Sequence, residues 1–250
     1  MKLAFFGTPR FSCFVLDALD AAGYTPALII TTPDRPAGRG LELQMSPVKQ
    51  WAITHNVDVI QPTSLKGDAL DADVKASPLL NTEWDLFVVA GYGKILPKRI
   101  VDLPKYGSLN VHPSLLPRFR GPSPIESQTL QDEKEVGVSI LVMDEKMDHG
   151  PILAQARITP EEWPLRTREL EDMLWSEGGD LLVESIPAYA DGSLVPEPQD
   201  HSAATTTSFM KKEDGELDLA ADPYQNYLKF CAYDGWPGTY LFKNDKRIKI

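Results

Sequence analysis

The sequence predicts an α/β fold with a Rossmann-like, doubly wound and mostly parallel sheet that an antiparallel hairpin closes. Three observations predict it. Short apolar segments alternate with amphipathic ones through the first half of the chain, as in successive βαβ units. The segment 84–90 (WDLFVVA) is apolar on both faces, which is typical of a central parallel strand. Two strand-like segments then follow one another across a short turn within 136–158, which predicts a hairpin.

The elements of the first half follow from periodicity and from helix-start signals. Residues 11–22 repeat apolar side chains at a spacing near 3.6, which predicts a helix, and Pro9 stands just before it, where a missing N–H costs little. A Ser46-Pro47 start predicts a second helix over 46–55. Strands are expected at 2–7, 27–32, 57–60, 84–90 and 108–111.

The second half is expected to hold the hairpin, a long helix and a less regular C-terminal part. The hairpin strands are predicted at 136–144 and 151–158. A long helix is expected over 165–189, which the Gly178-Gly179 pair should bend or weaken. The stretch AATTTS at 203–208 is typical of a linker. We therefore divide the chain into a main domain at 1–189, a linker at 190–215 and the start of a C-terminal domain at 216–250.

Composition excludes several classes of protein. Hydrophobic residues make up 42% and charged residues 24%, which are ordinary globular values. No apolar run approaches the ~20 residues that a membrane span needs, and the N-terminus lacks the features of a signal peptide. Two cysteines form no disulfide framework, so a cytoplasmic protein is expected. The net charge of −11 argues against a general nucleic-acid binder, although it permits a local basic patch.

The densest group of chemically useful residues lies at 110–121 (NVHPSLLPRFRG). Asn110 and His112 alternate on a predicted strand and therefore face the same side. They lie at the strand's carboxyl end, where open α/β sheets bind ligands. A lone histidine at a strand end is often only structural, but the Asn-x-His pair favours a function.

Asp148 lies in the turn of the predicted hairpin, within the sequence Asp-His-Gly. Such turns are common, so a purely structural role is an equal alternative. If the carboxylate reaches His112, it could orient the imidazole and hold it in a useful protonation state.

Two loops rich in glycine and proline follow predicted strands. The loop at 31–40 (TTPDRPAGRG) could face a phosphate or be a plain connector. The loop at 90–97 (AGYGKILP) has glycines that let a ligand approach the backbone, or that only form a strand-to-helix turn. The sequence contains no GxGxxG or GxxxxGK[ST] motif and no Cys/His cluster with metal spacing, so no metal is expected.

At these segments the sequence resembles the methionyl-tRNA formyltransferase family. The matching segments keep the family's order and approximate spacing: 6–9 (FGTP), 33–40 (PDRPAGRG), 46–49 (SPVK), 90–97, 110–121 and 143–150. The resemblance implies that 1–189 is the catalytic domain and that 216–250 is the first stretch of a tRNA-binding barrel, most of which is absent. Leu41-Glu42 stand where many relatives carry lysines, which implies weaker binding of tRNA.

The resemblance also implies the reaction and its residues. It implies formyl transfer from 10-formyltetrahydrofolate to the amino group of methionyl-initiator tRNA, by a monomer and without a metal. Asn110 matches an oxyanion donor, His112 the proton-handling group and Asp148 the residue that orients it. The folate is expected to lie against Gly93, Lys94, Ile95, Leu96, Ser114, Leu115, Leu116, Pro117 and Met143. The tRNA is expected to contact Arg39 and Arg35, with Arg118 and Arg120 as further basic candidates.

Two alternatives remain at this stage. A formyltransferase acting on a small amine, such as an amino-sugar nucleotide, would use the same three residues and would tolerate loss of the barrel. A folate-binding protein without activity is disfavoured by the intact triad. The loop at 33–49 favours the tRNA substrate, because small-substrate relatives generally lack it in this form.

Overall fold

A seven-stranded mixed sheet forms the centre of the computed structural model, which describes residues 1–37, 42–65, 74 and 77–250. The strand order is β5-β2-β1-β6-β7-β8-β9. These strands are β1 (Leu3–Gly7), β2 (Leu28–Ile30), β5 (Asp58–Ile60), β6 (Leu86–Ala90), β7 (Ser108–His112), β8 (Val136–Val142) and β9 (Ile152–Ile158).

Parallel pairing joins the first five strands of this order. In the register, Phe6 of β1 lies between Ile30 of β2 and Val89 of β6. β8 pairs antiparallel with both β7 and β9 and so closes the sheet as a hairpin. The predicted fold class, mostly parallel with an antiparallel edge, is confirmed.

Helices cover both faces of the sheet, as a doubly wound fold requires. They are α1 (Ser12–Ala21), α2 (Pro47–Thr54), α3 (Pro78–Asn81), α4 (Lys98–Val101), α5 (Pro124–Leu130), α6 (Thr167–Asp191) and α7 (Pro223–Ala232). Neighbouring side chains on β1 point to opposite faces, so Phe5 packs into one core and Phe6 into the other. The central strands β1 and β6 are buried along their length, so a ligand reaches them at their ends and at the loops that follow.

Helix α6 is continuous through Gly178-Gly179. The glycines lie where the helix packs against β7, β8 and α1. A Cβ on Gly178 would stand 2.6 Å from Val111 Cγ1, and one on Gly179 would stand 2.9 Å from Ala18 Cβ. The pair therefore allows α6 to approach β7 and α1.

The loop after β2 and the end of the chain contain strands that the sequence did not predict in this form. β3 (Arg35–Ala37) pairs antiparallel with β4 (Glu42–Gln44), and β10 (Tyr240–Lys243) pairs antiparallel with β11 (Lys246–Lys249). Helix α7 packs on α5, and the Thr167 hydroxyl donates to the Ala232 carbonyl at 2.5 Å. The division at residues 189 and 215 stays a prediction.

Among the described residues, no helix has both the length and the apolar character that crossing a membrane would require.

Candidate active site

The carboxyl end of β7 presents Asn110 and His112 on one side, as strand alternation requires. The strand is held on both edges, because Asn110 pairs with Val89 of β6 and with Leu141 of β8. His112 is only 4% exposed. The sheet therefore fixes both side chains at a strand end that is surrounded by loops.

The imidazole of His112 is oriented by a backbone carbonyl. Its Nε2 lies 3.0 Å from the oxygen of Phe119. A carbonyl can only accept, so Nε2 carries the proton in this contact. In the neutral ring Nδ1 then carries the lone pair, and it lies 3.7 Å from Asp148 Oδ1. The basic nitrogen of His112 thus faces the carboxylate.

Asp148 joins the loop after β7 to the turn of the β8–β9 hairpin. Asn110 Nδ2 donates to its Oδ1 at 3.3 Å, and the Gly121 amide donates to its Oδ2 at 2.7 Å. Its backbone has a φ of +50°, a left-handed conformation. The structure thus brings Asn110, His112 and Asp148 together, whereas their catalytic roles stay a prediction.

A segment that the sequence analysis treated as a linker forms part of this site. Thr205 donates through its amide to Pro117 and accepts at Oγ1 from the Phe119 amide at 2.8 Å. The Thr207 amide donates to the Arg120 carbonyl at 2.7 Å. Residues 197–207, which we call the brace, therefore hold the loop that carries the Phe119 carbonyl.

Gln199 is the buried residue of the brace, and sequence reasoning missed it. Its Nε2 donates to the carbonyls of Asp148 at 3.0 Å and Gly150 at 2.7 Å. Its Oε1 accepts from the Arg120 guanidinium, at 3.1 Å from Nε and 2.5 Å from Nη2. No spacing or periodicity signals this contact, because Gln199 stands in an irregular segment 49 or more residues from the groups it binds.

A group of titratable side chains lies beside the hairpin turn. His149 bonds Asp144 at 2.6 Å and stacks on His201 with a centroid distance of 4.1 Å. Partial burial works to raise the pKa of Asp144, but the bonds from His149 and the Lys146 amide prevail and lower it. The pKa of His201 is lowered by desolvation and by the nearby positive charges of His149 and Arg120.

The residues predicted to contact folate line two neighbouring strand ends. In the loop after β6, Gly93 has a φ of +73° and Ile95 is 56% exposed, while Leu96 is buried. Lys94 Nζ bonds the carbonyls of Pro62 at 2.8 Å and Thr63 at 2.9 Å. A folate contact through the Lys94 ammonium would therefore have to compete with these carbonyls.

The remaining predicted folate residues lie in the loop after β7 and after β8. Ser114 is buried and donates to the Arg118 carbonyl, and the Leu116 amide donates to Ser139 Oγ at 3.0 Å. Leu115 and Pro117 are half-buried in the same loop. Met143 follows β8, packs against the core that contains Phe6, and donates its amide to Ser108.

Of the residues predicted to contact tRNA, Arg35 is exposed on β3 and Arg39 lies outside the described residues. Hydrogen bonds hold the base of their loop. The Asp34 carboxylate accepts one from Lys49 Nζ at 2.6 Å and one from Gln61 Nε2 at 2.7 Å. These bonds lower the pKa of Asp34.

Arg120 is not a tRNA-contact candidate, contrary to the sequence-based expectation. It is buried, and its guanidinium bonds Gln199 and His201. Arg118 forms an ion pair with Glu133 and lies over the Phe119 ring. Both arginines hold the loop after β7.

Within the described part of the chain, no group of three or more His, Cys, Asp or Glu side chains is placed to hold a metal ion.

Comparison with known proteins identifies the family. The family described as Formyl transferase matches residues 1–185. Methionyl-tRNA formyltransferases are similar over all of the chain: that of Chloroflexus aurantiacus is 42% identical, and the chain covers 79% of it. That of Citrifermentans bemidjiense is 39% identical, with 77% of it covered.

Solved structures support the fold. A 4-N formyltransferase from Francisella tularensis superposes with a TM-score of 0.74 at 16% identity, over 100% of this chain and 96% of that one. The N-formyltransferase from Helicobacter canadensis, in complex with folinic acid and dTDP-3-aminofucose, gives a TM-score of 0.72 at 16% identity, over 99% and 86% of the two chains. At this identity the likeness concerns architecture alone.

Proposed function

Because this chain belongs to the formyl transferase family and, within it, to the methionyl-tRNA formyltransferases, we propose that it transfers the formyl group of 10-formyltetrahydrofolate to the amino group of methionyl-initiator tRNA through Asn110, His112 and Asp148. The observation that carries this assignment is the meeting of these three side chains at the carboxyl end of β7. In the reaction the amine nitrogen bonds to the formyl carbon and the bond to folate N10 breaks. The amine loses one proton and N10 gains one.

His112 is the group that moves the proton. Since Phe119 holds the Nε2–H, the lone pair on Nδ1 accepts the proton of the attacking amine. The imidazolium that forms is stabilised by Asp148 Oδ1, 3.7 Å away. The proton then passes to N10 as the tetrahedral intermediate collapses.

Asn110 supplies the donor for the developing oxyanion. One N–H of its amide is directed at Asp148 Oδ1, at 3.3 Å, and the amide carries a second N–H. A neutral donor held by a strand costs little reorganisation when charge appears on the formyl oxygen. Asp148 therefore orients Asn110 and His112 together.

Two loops are proposed to hold the folate. The carboxyl ends of the parallel strands β6 and β7 lie side by side, and ligands bind at such ends. The loop after β6 offers Gly93, Ile95 and Leu96, and the exposed Ile95 side chain gives an apolar surface for the pterin. The loop after β7 and Met143 supply the other side. We propose that the protein acts as a monomer.

Similarity over the whole chain supports methionyl-initiator tRNA as the acceptor. The relatives that match over its full length at about 40% identity are methionyl-tRNA formyltransferases, whereas a sugar N-formyltransferase of known structure is 17% identical. The loop after β2 adds the exposed basic side chain of Arg35, and Lys49 bonds Asp34 at its base.

The test is a formyl-transfer assay with 10-formyltetrahydrofolate and two kinds of acceptor, methionyl-initiator tRNA and amino-sugar nucleotides. We expect turnover with the charged tRNA and at least ~100-fold lower kcat/KM with the nucleotides, because the two acceptors share only the amine. Turnover of an amino-sugar nucleotide with no formylation of the tRNA would replace this function with the small-amine alternative.

A further inference from the structure

We propose that Gln199 is a positioning residue for Asp148, and that the brace is consequently part of the catalytic unit. This inference rests on the proposed function. It begins from the conformation of Asp148, whose φ of +50° is uncommon for a residue with a side chain. Surrounding contacts help to hold such a conformation in place.

Gln199 supplies those contacts on the backbone side of Asp148. One amide nitrogen donates to the carbonyls of Asp148 and Gly150, which both lie in the connection between β8 and β9. The side chain is 6% exposed, so water does not compete for these bonds. Gln199 therefore fixes the turn from which the Asp148 carboxylate projects.

The same side chain links the turn to the loop after β7. Its Oε1 accepts from the buried Arg120 guanidinium, and the next residue, Gly121, donates its amide to Asp148 Oδ2. The bonds form a closed ring from the Asp148 carboxylate through Gly121, Arg120 and Gln199 back to the Asp148 carbonyl. A ring of this kind couples the position of the carboxylate to the loop that orients His112.

An amide is the side chain that fits this position. It donates to two carbonyls and accepts from a guanidinium at once. A carboxylate would keep the bond to Arg120 and even strengthen it, but it would offer no proton to Asp148 or Gly150. Gln199→Glu therefore separates the two roles, since it keeps the Arg120 contact and removes the contact with the turn.

Gln199→Glu and Gln199→Leu are to be compared with wild type in single-turnover formyl transfer. We expect both variants to lower the rate constant by about tenfold to hundredfold, because small misplacements of a catalytic group cost that much. The KM values for folate and acceptor should change by less than about threefold. A Gln199→Glu rate within about twofold of wild type, beside a slow Gln199→Leu, would mean that Gln199 serves only Arg120 and would overturn the proposal.

A second measurement does not depend on the reaction. Hydrogen exchange of the Gly121 amide reports its bond to Asp148 Oδ2, and it should accelerate in both variants by at least about tenfold. Leu19→Ala, in the core on α1 away from the strand ends, is the matched control. It should lower the melting temperature without changing the single-turnover rate constant. An unchanged exchange rate of the Gly121 amide in both variants would overturn the proposal that Gln199 holds Asp148 in place.

The acceptor used in the assay separates this proposal from the proposed function. If the wild-type protein formylates a small amine rather than tRNA, the proposed function is wrong. The Gln199 variants are then compared with that amine as the acceptor, and the comparison still tests the role of Gln199.

Discussion

At the scale of single residues, two backbone positions in the left-handed region define the geometry of the site. Phe119 has a φ of +60° and Asp148 one of +50°. A left-handed conformation is costly for a bulky residue such as Phe, on the order of 1–3 kcal/mol. Phe119 is buried, and its amide bonds Thr205 while its carbonyl bonds His112. The left-handed conformation thus occurs at the two residues whose carbonyl, in Phe119, and carboxylate, in Asp148, face His112.

The first prediction concerns the proposed catalytic pair. His112→Ala should lower single-turnover formyl transfer by ~10²–10⁴-fold, because a proton-transfer group is lost. Asn110→Ala should lower it by ~10²–10³-fold, because an oxyanion donor is lost. His55→Ala is the control, since His55 is exposed and stacks on Trp51. Rates within about threefold of wild type for the two site variants would contradict the assigned roles.

The second prediction separates the charge of Asp148 from its shape. Asp148→Asn keeps an oxygen that can accept from the Gly121 amide, but it removes the negative charge 3.7 Å from His112 Nδ1. The rate constant should fall by about 10²-fold or more, because the imidazolium loses its stabilising partner, while folate affinity changes little. Stopped-flow transfer and equilibrium folate binding measure the two quantities. An equal loss in both would instead indicate a role in folate binding.

At the scale of elements, close packing gives the Gly178-Gly179 pair a role that its helix propensity does not suggest. Glycines within a helix are expected to weaken it, yet α6 carries Gly178 where Val111 and Val138 occupy the space that a Cβ would fill. Val111 lies between Asn110 and His112 on β7. The glycine therefore sets the distance between α6 and the strand that bears the site.

The third prediction follows from that contact. Gly178→Ala gains helix propensity of up to ~1 kcal/mol, but its Cβ would stand 2.6 Å from Val111 Cγ1, so overpacking should give a net destabilisation of about 1–2 kcal/mol. Ser176→Ala, at an exposed position on the same helix, should leave stability unchanged or slightly raised. Urea unfolding of both variants provides the check. A stabilised Gly178→Ala would show that α6 can shift freely away from β7.

The sequence predicted the sheet well because its strands carry their own signal. Strand alternation put Asn110 and His112 on one side, and the apolar run at β6 marked the centre of the sheet. The position of Gln199 carried no such signal, because a buried glutamine in an irregular segment is set by contacts distant in sequence. Likewise, an arginine is expected at the protein surface from its charge alone. The structure instead buries Arg120 against Gln199.

At the scale of the whole molecule, an acidic chain must accommodate partly buried carboxylates. Glu171 on α6 is the clearest case: desolvation, with the nearby Glu126 charge, raises its pKa to about 7 despite Arg10 at 3.9 Å. Burial also raises the pKa of Glu126. Around neutral pH, folded molecules thus hold a proton on Glu171 about half of the time, whereas the unfolded chain, with an ordinary glutamate pKa near 4.5, has released it.

The raised pKa of Glu171 makes stability depend on pH, which gives the fourth prediction. Below the unfolded pKa both states are protonated and Glu171 costs nothing, and stability is lost as the pH rises from about 4.5 to about 7. Glu171→Gln should therefore stabilise the protein more at pH 8 than at pH 5. The gain in the free energy of unfolding over wild type should be larger at pH 8 by roughly 1–2 kcal/mol, as for a partly exposed group. Glu184→Gln, at an exposed position on α6, is the control for loss of one charge. Parallel shifts in the two variants would assign the effect to net charge.

The last prediction concerns how the binding of tRNA by this acidic protein depends on salt. Of the basic candidates, Arg118 and Arg120 are engaged within the protein, Arg39 lies outside the described residues, and Arg35 is exposed. A basic surface also lies on the β10–β11 hairpin, with Lys243, Lys246, Arg247 and Lys249 against the single acidic Asp245. Arg35 and the basic side chains of the hairpin are therefore the described candidates for phosphate contacts, and the logarithm of kcat/KM for tRNA should fall with the logarithm of salt concentration with a slope on the order of −2 to −4.

Arg35→Ala should lower kcat/KM for the charged tRNA and make this slope shallower by about 1, because one phosphate contact is lost. Folate affinity should not change, since the proposed folate residues lie on other loops. Arg157→Ala is the matched control: Arg157 is exposed on β9 and paired with Glu135 at 2.9 Å, so its loss should alter neither quantity. Equal losses in tRNA turnover and folate affinity for Arg35→Ala would mean that β3 supports the folate site. An unchanged slope would transfer the phosphate contacts to the hairpin, where Lys246→Ala would then be the variant that flattens it.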